Sequence, residues 1–176
     1  MTRKRCLPAW IRSDASYGVL HAYYAYVLGA EVSFPDVGGD LVAAHARSAT
    51  VFIGADFSTT YEFPAERGGA SVRDQLHRRA EHLVRLSAVG GDAPSIVRYE
   101  VWCFIPPSER LQDAAASFEA PRGCAVELIQ GVELSARVRQ AVLAVPHRAG
   151  VDEPEPETAF VDCADTIREA FGLGGG

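Results

Sequence analysis

Two aspartates, Asp40 and Asp56, stand on consecutive runs of apolar β-forming residues. Asp40 opens LVAAHA after a Gly-Gly pair, and Asp56 lies inside TVFIGADFS. Carboxylates that adjacent strands bring together can hold a divalent cation. Each aspartate also has a plainer role. An Asp after Gly-Gly commonly ties down a turn through its side chain, and a single acid on a strand commonly faces solvent. Cysteine and histidine chemistry is less promising. Cys6, Cys103, Cys124 and Cys163 are far apart with no CxxC pair, which reads as reduced thiols in a cytoplasmic protein. Cys103 has no nearby base and reads as a buried thiol. His21, beside Tyr17 and Tyr24, reads as a core or boundary histidine, and His45, His77, His82 and His147 have no ligand spacing. The sequence carries no phosphate-binding glycine loop, GxSxG, HExxH or CxxC…CxxC pattern, which lowers the case for nucleotide hydrolysis, acyl transfer and structural zinc.

The elements that must position these residues follow from periodicity. Tyr17, Leu20, Tyr24, Val27 and Leu28 are at helical spacing over 14–28, with Ser13 as cap and Gly29 as stop. Glu31–Phe34 reads as a short edge strand. Asp40–Ala46 and Thr50–Ser58 read as paired strands joined at Ala46–Ala49. Alternation along the second puts Phe52, Gly54, Asp56 and Ser58 on one face. Ser71 opens a helix to about Ser87, with Val72, Leu76, Ala80 and Leu83 inward. Ile96–Ile105 is a β-branched and aromatic strand closed by Pro106–Pro107. Ser108 caps a helix to about Phe118, Ala125–Gln130 is a further strand, and a helix runs from about Leu134 to Val145. The expected core is Leu20, Tyr24, Leu28, Val42, Phe52, Ile53, Leu76, Leu83, Val101, Phe104, Leu111, Phe118, Leu128, Val138 and Val142. Strands alternating with helices after a hairpin imply an α/β fold with a mixed sheet flanked by helices.

This order of helix, acid-bearing hairpin, helix, strand, helix and strand, over residues 14–145, resembles the PD-(D/E)xK nuclease superfamily. The resemblance implies the restriction-endonuclease-like fold, a three-layer α/β/α arrangement with a mixed central sheet. It also implies a site where an Asp on one strand and an acid-x-Lys pair on the next hold Mg²⁺ or Mn²⁺, the metal activating water for phosphodiester cleavage. The first acid maps onto Asp40. The second half reads either Gly54-x-Asp56 or Asp56-x-Ser58, and the lysine is missing in both; Lys4 is the single lysine of the chain. The Asp56-x-Ser58 register keeps a metal pair of Asp40 and Asp56, to which Glu31 adds a third carboxylate, with Ser58 in the lysine position and Gln75 on a helix that faces the site in many relatives.

A nuclease-fold protein with a decayed metal site is the resulting expectation, acting as a nucleic-acid-associated or partner-binding subunit without catalysis. The alternatives are an active divalent-metal-dependent nuclease using Asp40 and Asp56 without lysine, and an unrelated α/β protein-interaction module. On the helix at 71–87, Arg78, His82 and Arg85 fall on the outer face with Arg73 and Arg79 flanking, a stripe that can follow a phosphate backbone. Arg47 and Arg98 are candidates to extend it. Asp74–Arg78 and Glu81–Arg85 are also i,i+4 pairs, so a self-paired solvated face accounts for the same residues.

Net charge is −6 over 176 residues, but unevenly placed. Residues 150–176 hold seven acids against Arg168; removing these from the 23 acids and 17 bases leaves sixteen of each in residues 1–149. That neutral body is read as the α/β domain. Residues 150–158, with Pro154 and Pro156 among acids, read as an extended linker. Beyond it Phe160, Ala164, Ile167 and Phe171 form one stripe of a short amphipathic helix over 159–176 with a frayed Gly tail. Such a helix is marginal alone and is expected to dock on its own domain or on a second copy, giving a homodimer or a protein-partner contact. No apolar run approaches the ~18–20 residues of a membrane span. The basic start MTRKR is interrupted by Pro8, Arg12 and Asp14, so no leader is expected.

Overall fold

The computed structural model describes residues 15–35, 42–58, 71–89, 94–119 and 123–144. Asp40, Cys6, Cys163, His147, the linker at 150–158 and the stripe at 160–171 lie outside them. Helix α1 (Ala15–Ala22) runs into a π-helical turn, Tyr23–Val27. Strands β1 (Glu31–Ser33), β2 (Ala44–Arg47) and β3 (Val51–Phe57) follow, then α2 (Val72–Ser87), β4 (Ile96–Trp102), α3 (Glu109–Ala116), β5 (Cys124–Ile129) and α4 (Gly131–Ala144).

One five-stranded sheet has the order β1-β2-β3-β4-β5. The first two pairings are antiparallel and the last two parallel, so the sheet is mixed, as expected. Two compact units are distinguishable, residues 30–135 and residues 1–29 with 136–176.

In the 30–135 unit, α2 and α3 pack on the sheet face that carries Phe52, Tyr99, Val101 and Cys124. The core joins these to Val42, Leu76, Ala80, Leu83, Cys103, Leu111 and Ala114. α2 starts on a capping box: Ser71 Oγ accepts from the Asp74 amide, and the Asp74 carboxylate accepts from the Ser71 amide. Ser108 caps α3 by accepting from the Leu111 amide. Gly54 on β3 allows close approach of α2, because a Cβ there would collide with the Leu83 side chain. On the opposite face Ala44, Ala46, Ile53, Ala55, Trp102 and Ile129 are also buried. The sheet centre is thus covered on both sides, which is why Phe52 and Ile53 both belong to the core.

In the other unit, Val19, Leu20, Ala22 and Tyr24 are buried, as are Val138, Ala141 and Val142 of α4. Tyr23 and Tyr24 meet edge-on, and the Arg137 guanidinium lies 5.0 Å from the centre of the Tyr23 ring.

The expected boundaries shift in four places, and one core expectation fails; α4 begins at Gly131, three residues before the expected Leu134. The β2–β3 turn falls at Ser48–Thr50 rather than Ala46–Ala49, because the Ser48 amide bonds the Val51 carbonyl and Ser48 Oγ accepts from the Val51 amide. β2 begins at Ala44, not Asp40. β4 ends at Trp102, before Ile105. Leu28, expected in the core, is 46% exposed. Its amide bonds the Tyr23 carbonyl, an i→i+5 closure, and the extra residue in that turn carries Leu28 off the helical stripe. Phe104, Phe118 and Leu128 are half-buried, and the rest of the expected core is buried.

Candidate functional site

Asp56 enters the α2-facing side of the sheet by strand alternation. Its neighbours on that face are Gly54 and, across on β4, Tyr99 and Val101. The residue is 4% exposed. A carboxylate taken out of water needs compensation, and this one has it on both oxygens. Arg79 Nε, from α2, donates to Oδ2 at 3.1 Å, and the Tyr99 hydroxyl donates to the same oxygen at 3.2 Å. Oδ1 accepts from the Phe57 amide at 3.2 Å. Arg79 Nη1 donates back to the Gln75 carbonyl one turn earlier, fixing the guanidinium plane. Removing one partner from such a buried pair typically costs about 3–5 kcal/mol.

The Asp56-x-Ser58 face is therefore built for internal bonding. Ser58 is 1% exposed, and its hydroxyl donates to the Ile105 carbonyl at 2.8 Å. That bond ties the end of β3 to the segment leaving β4. Gln75 is half-buried on α2. Glu31 stands opposite Arg47 on β1, and the β2–β3 register aligns Arg47 with Phe52, four residues from Asp56. At ~3.3 Å per residue, with two strand spacings of ~4.8 Å between, that is well beyond shared ligation. The structure does not bring Glu31 to Asp56.

Among the described residues Asp56 is engaged by other protein groups, a guanidinium and a phenol, and no group of three or more His, Cys, Asp or Glu side chains comes together among them. Asp40, the other acid of the expected pair, lies outside them.

The basic residues divide. Arg73, Arg78 and Arg85 are exposed on α2, and among the described residues none makes an ion pair within 4.0 Å. The capping box contributes to this: the Ser71 hydroxyl and amide engage Asp74 and hold its carboxyl below the usual range, Arg78 and His77 adding smaller Coulombic help. Arg79 is withdrawn from the outer face by Asp56. Arg47 does not extend the stripe. Its Nη2 donates to the carbonyls of Leu86 and Ser87 at 3.1 and 3.3 Å, satisfying groups that the end of α2 leaves open, while the guanidinium covers the Phe52 ring at 4.7 Å. Arg98 alternates with Tyr99, so it points to the other sheet face, where it meets Glu127 at 3.9 Å.

Tyr99 and the inward turn of Arg79 were not among the expectations. The available signal was position: Arg79 directly precedes buried Ala80, on the flank between the core stripe and the outer face. Glu100, on the second sheet face, is 1% exposed, and its place within the central strand gave no sign of that. His45 stacks on Phe52 and His77 lies against Phe118, so both act as ring surfaces. Burial pushes His21 down to about 4 and the thiols of Cys103 and Cys124 up to about 11. Comparison of the chain with protein-family models, curated proteins and solved structures finds no match.

Proposed function

We propose that this chain is a restriction-endonuclease-like α/β/α protein whose metal site has decayed, serving as a nucleic-acid-associated or partner-binding subunit without catalysis. The order of helix, antiparallel meander, helix, strand, helix and strand supports the resemblance. The observation that carries the non-catalytic part is the Arg79–Asp56 pair. At the position where the resemblance calls for a metal-binding acid, the chain supplies its own cation, and that cation cannot activate water as a Lewis acid does. Ser58, in the lysine position, has its hydroxyl committed to a backbone carbonyl.

The nucleic-acid part draws on Arg73, Arg78 and Arg85, exposed on one helix. Its test is a salt titration of fluorescent duplex DNA and RNA with the wild-type chain and the Arg78→Ala, Arg85→Ala variant. Loss of two phosphate contacts should weaken binding and lower the slope of log K against log salt by roughly 1.8. An unchanged slope would move the contact elsewhere. Absence of binding at low salt would leave the protein-partner reading.

A further inference from the structure

The sheet ends on two unlike edges. β1 spans three residues, and a short edge strand offers little for further pairing. β5 spans six, Cys124–Ile129, and among the described residues it pairs with β4 alone. Its register with β4 runs unbroken from Cys124 to Ile129, so no bulge bends the outer edge away. The strand contains no proline, lysine or arginine, and its one charged residue, Glu127, lies 3.9 Å from Arg98 of β4. β5 thus has neither the shortness, the proline, the lysine nor the bulge that commonly blunts an edge.

Strand parity fixes which backbone groups face outward. The Ile129 carbonyl accepts from the Cys103 amide, so Ile129 turns its backbone groups toward β4, and Glu127 and Ala125 do the same by alternation. Cys124, Val126 and Leu128 therefore present amide and carbonyl on the outer side. We infer that this edge pairs with β5 of a second copy of the chain, antiparallel about a two-fold axis at Val126, joining two five-stranded sheets into one.

The strand's own residues select this partner and register. Outward-facing residues must meet outward-facing ones, and with that parity the longest two-fold overlaps centre on Val126 or on Glu127. Centring on Glu127 sets the two Glu127 carboxylates directly opposite each other at a close, non-hydrogen-bonded pair, which is destabilising. Centring on Val126 sets Val126 against Val126 of the second copy, Cys124 against Leu128, and Glu127 against the small, exposed Ala125. Apolar residues then meet on the face that α2 and α3 cover, where Val126 and Leu128 already pack against the core, and no acid meets a like charge. Each outward-facing pair exchanges two hydrogen bonds. The pairing uses none of the arginines of α2 and stands without nucleic-acid binding.

Sedimentation velocity of the full chain at rising concentration should show the mass climbing from 18.9 kDa toward twice that. Ala125 is exposed, so its substitution leaves the fold of the monomer in place. Ala125→Glu would face Glu127 of the second copy on both sides of the axis and should weaken the dimer roughly tenfold, whereas Ala125→Lys should tighten it by a similar factor. Oxidative crosslinking tests the axis in a Cys6→Ser, Cys163→Ser background, where the remaining thiols, Cys103 and Cys124, are buried. Val126→Cys meets itself at a Cα separation of about 5.5 Å, within disulfide reach, while Ala125→Cys is the more exposed site but lies off the axis. Val126→Cys should form the linked dimer at least about tenfold faster. A monomer at every concentration, a dimer indifferent to both Ala125 charges, or linkage of Ala125→Cys as fast as that of Val126→Cys would each overturn the proposal, the first leaving the edge to a strand of another protein.

Discussion

Arg79 reaches from α2 to place its Nε 3.1 Å from Oδ2 of Asp56, and the two side chains are only 13% and 6% exposed. Tyr99 donates to the same oxygen from the neighbouring strand. A helix, two strands and one carboxylate are thus joined at a single atom. The cost of burying Asp56 is offset from within the chain, by a guanidinium and a phenol on Oδ2 and a backbone amide on Oδ1.

The pair should behave as one unit in stability. Arg79→Met alone strands a buried carboxylate and should cost about 3 kcal/mol or more. Tyr99→Phe, which leaves Arg79 in place, should cost about 1 kcal/mol. Asp56→Leu combined with Arg79→Met should recover most of the single-variant loss, because the apolar pair has no charge to satisfy. Urea unfolding of the set measures this; additive losses would mean that the pair contributes no coupling.

Arg47 should matter as a brace for α2. Arg47→Met keeps the stem over Phe52 but removes the donors to Leu86 and Ser87, and should lower stability by about 1–2 kcal/mol. Amide hydrogen exchange should speed up first in the last turn of α2. Uniform acceleration across the sheet would place the effect elsewhere.

Acid should destabilise the fold through His21. Burial holds its folded pKa near 4 against an ordinary 6.5, so the neutral form is favoured in the folded state and the unfolded state takes up the proton first. This contribution is fully present above pH 6.5 and is lost as pH falls toward 4, by roughly 3 kcal/mol at most. Thermal unfolding between pH 7 and pH 5 should show the decline, and His21→Gln should flatten it. A variant as pH-sensitive as the wild type would contradict this assignment.

Cys103 and Cys124, with pKa values near 11, should resist alkylation while the chain is folded. Iodoacetamide labelling at pH 8 followed by peptide mapping should find both modified only after denaturant is added. Rapid labelling of either in the native chain would contradict the burial.

The sheet and its helices were legible because local and global signals agree. The β-branched run at Ile96, the serines at 71 and 108 ahead of apolar periodicity, and the alternation that puts Asp56 beside Gly54 each state one thing. Leu28 was misplaced because a π-turn changes the helical count, and Tyr23–Val27 carries no residue that announces one. The environment of Asp56 was not legible. Alternation gives its face, but its partners come from residues 23 and 43 positions away, and the position of Arg79 beside the core stripe does not say which side chain it meets. Arg47 was unreadable for the same reason, since the carbonyls it caps are about 40 residues away in sequence.

The central claim is that Asp56 serves an internal pair rather than a catalytic metal. Its most direct measurement is cleavage of plasmid DNA and of single-stranded DNA and RNA in Mg²⁺ and in Mn²⁺, with Asp40→Ala and Asp56→Asn as controls. The prediction is no metal-dependent cleavage above background, with rates indistinguishable between wild type and both variants. Cleavage that requires the metal and disappears in Asp40→Ala would contradict the account and make the chain an active nuclease without the lysine.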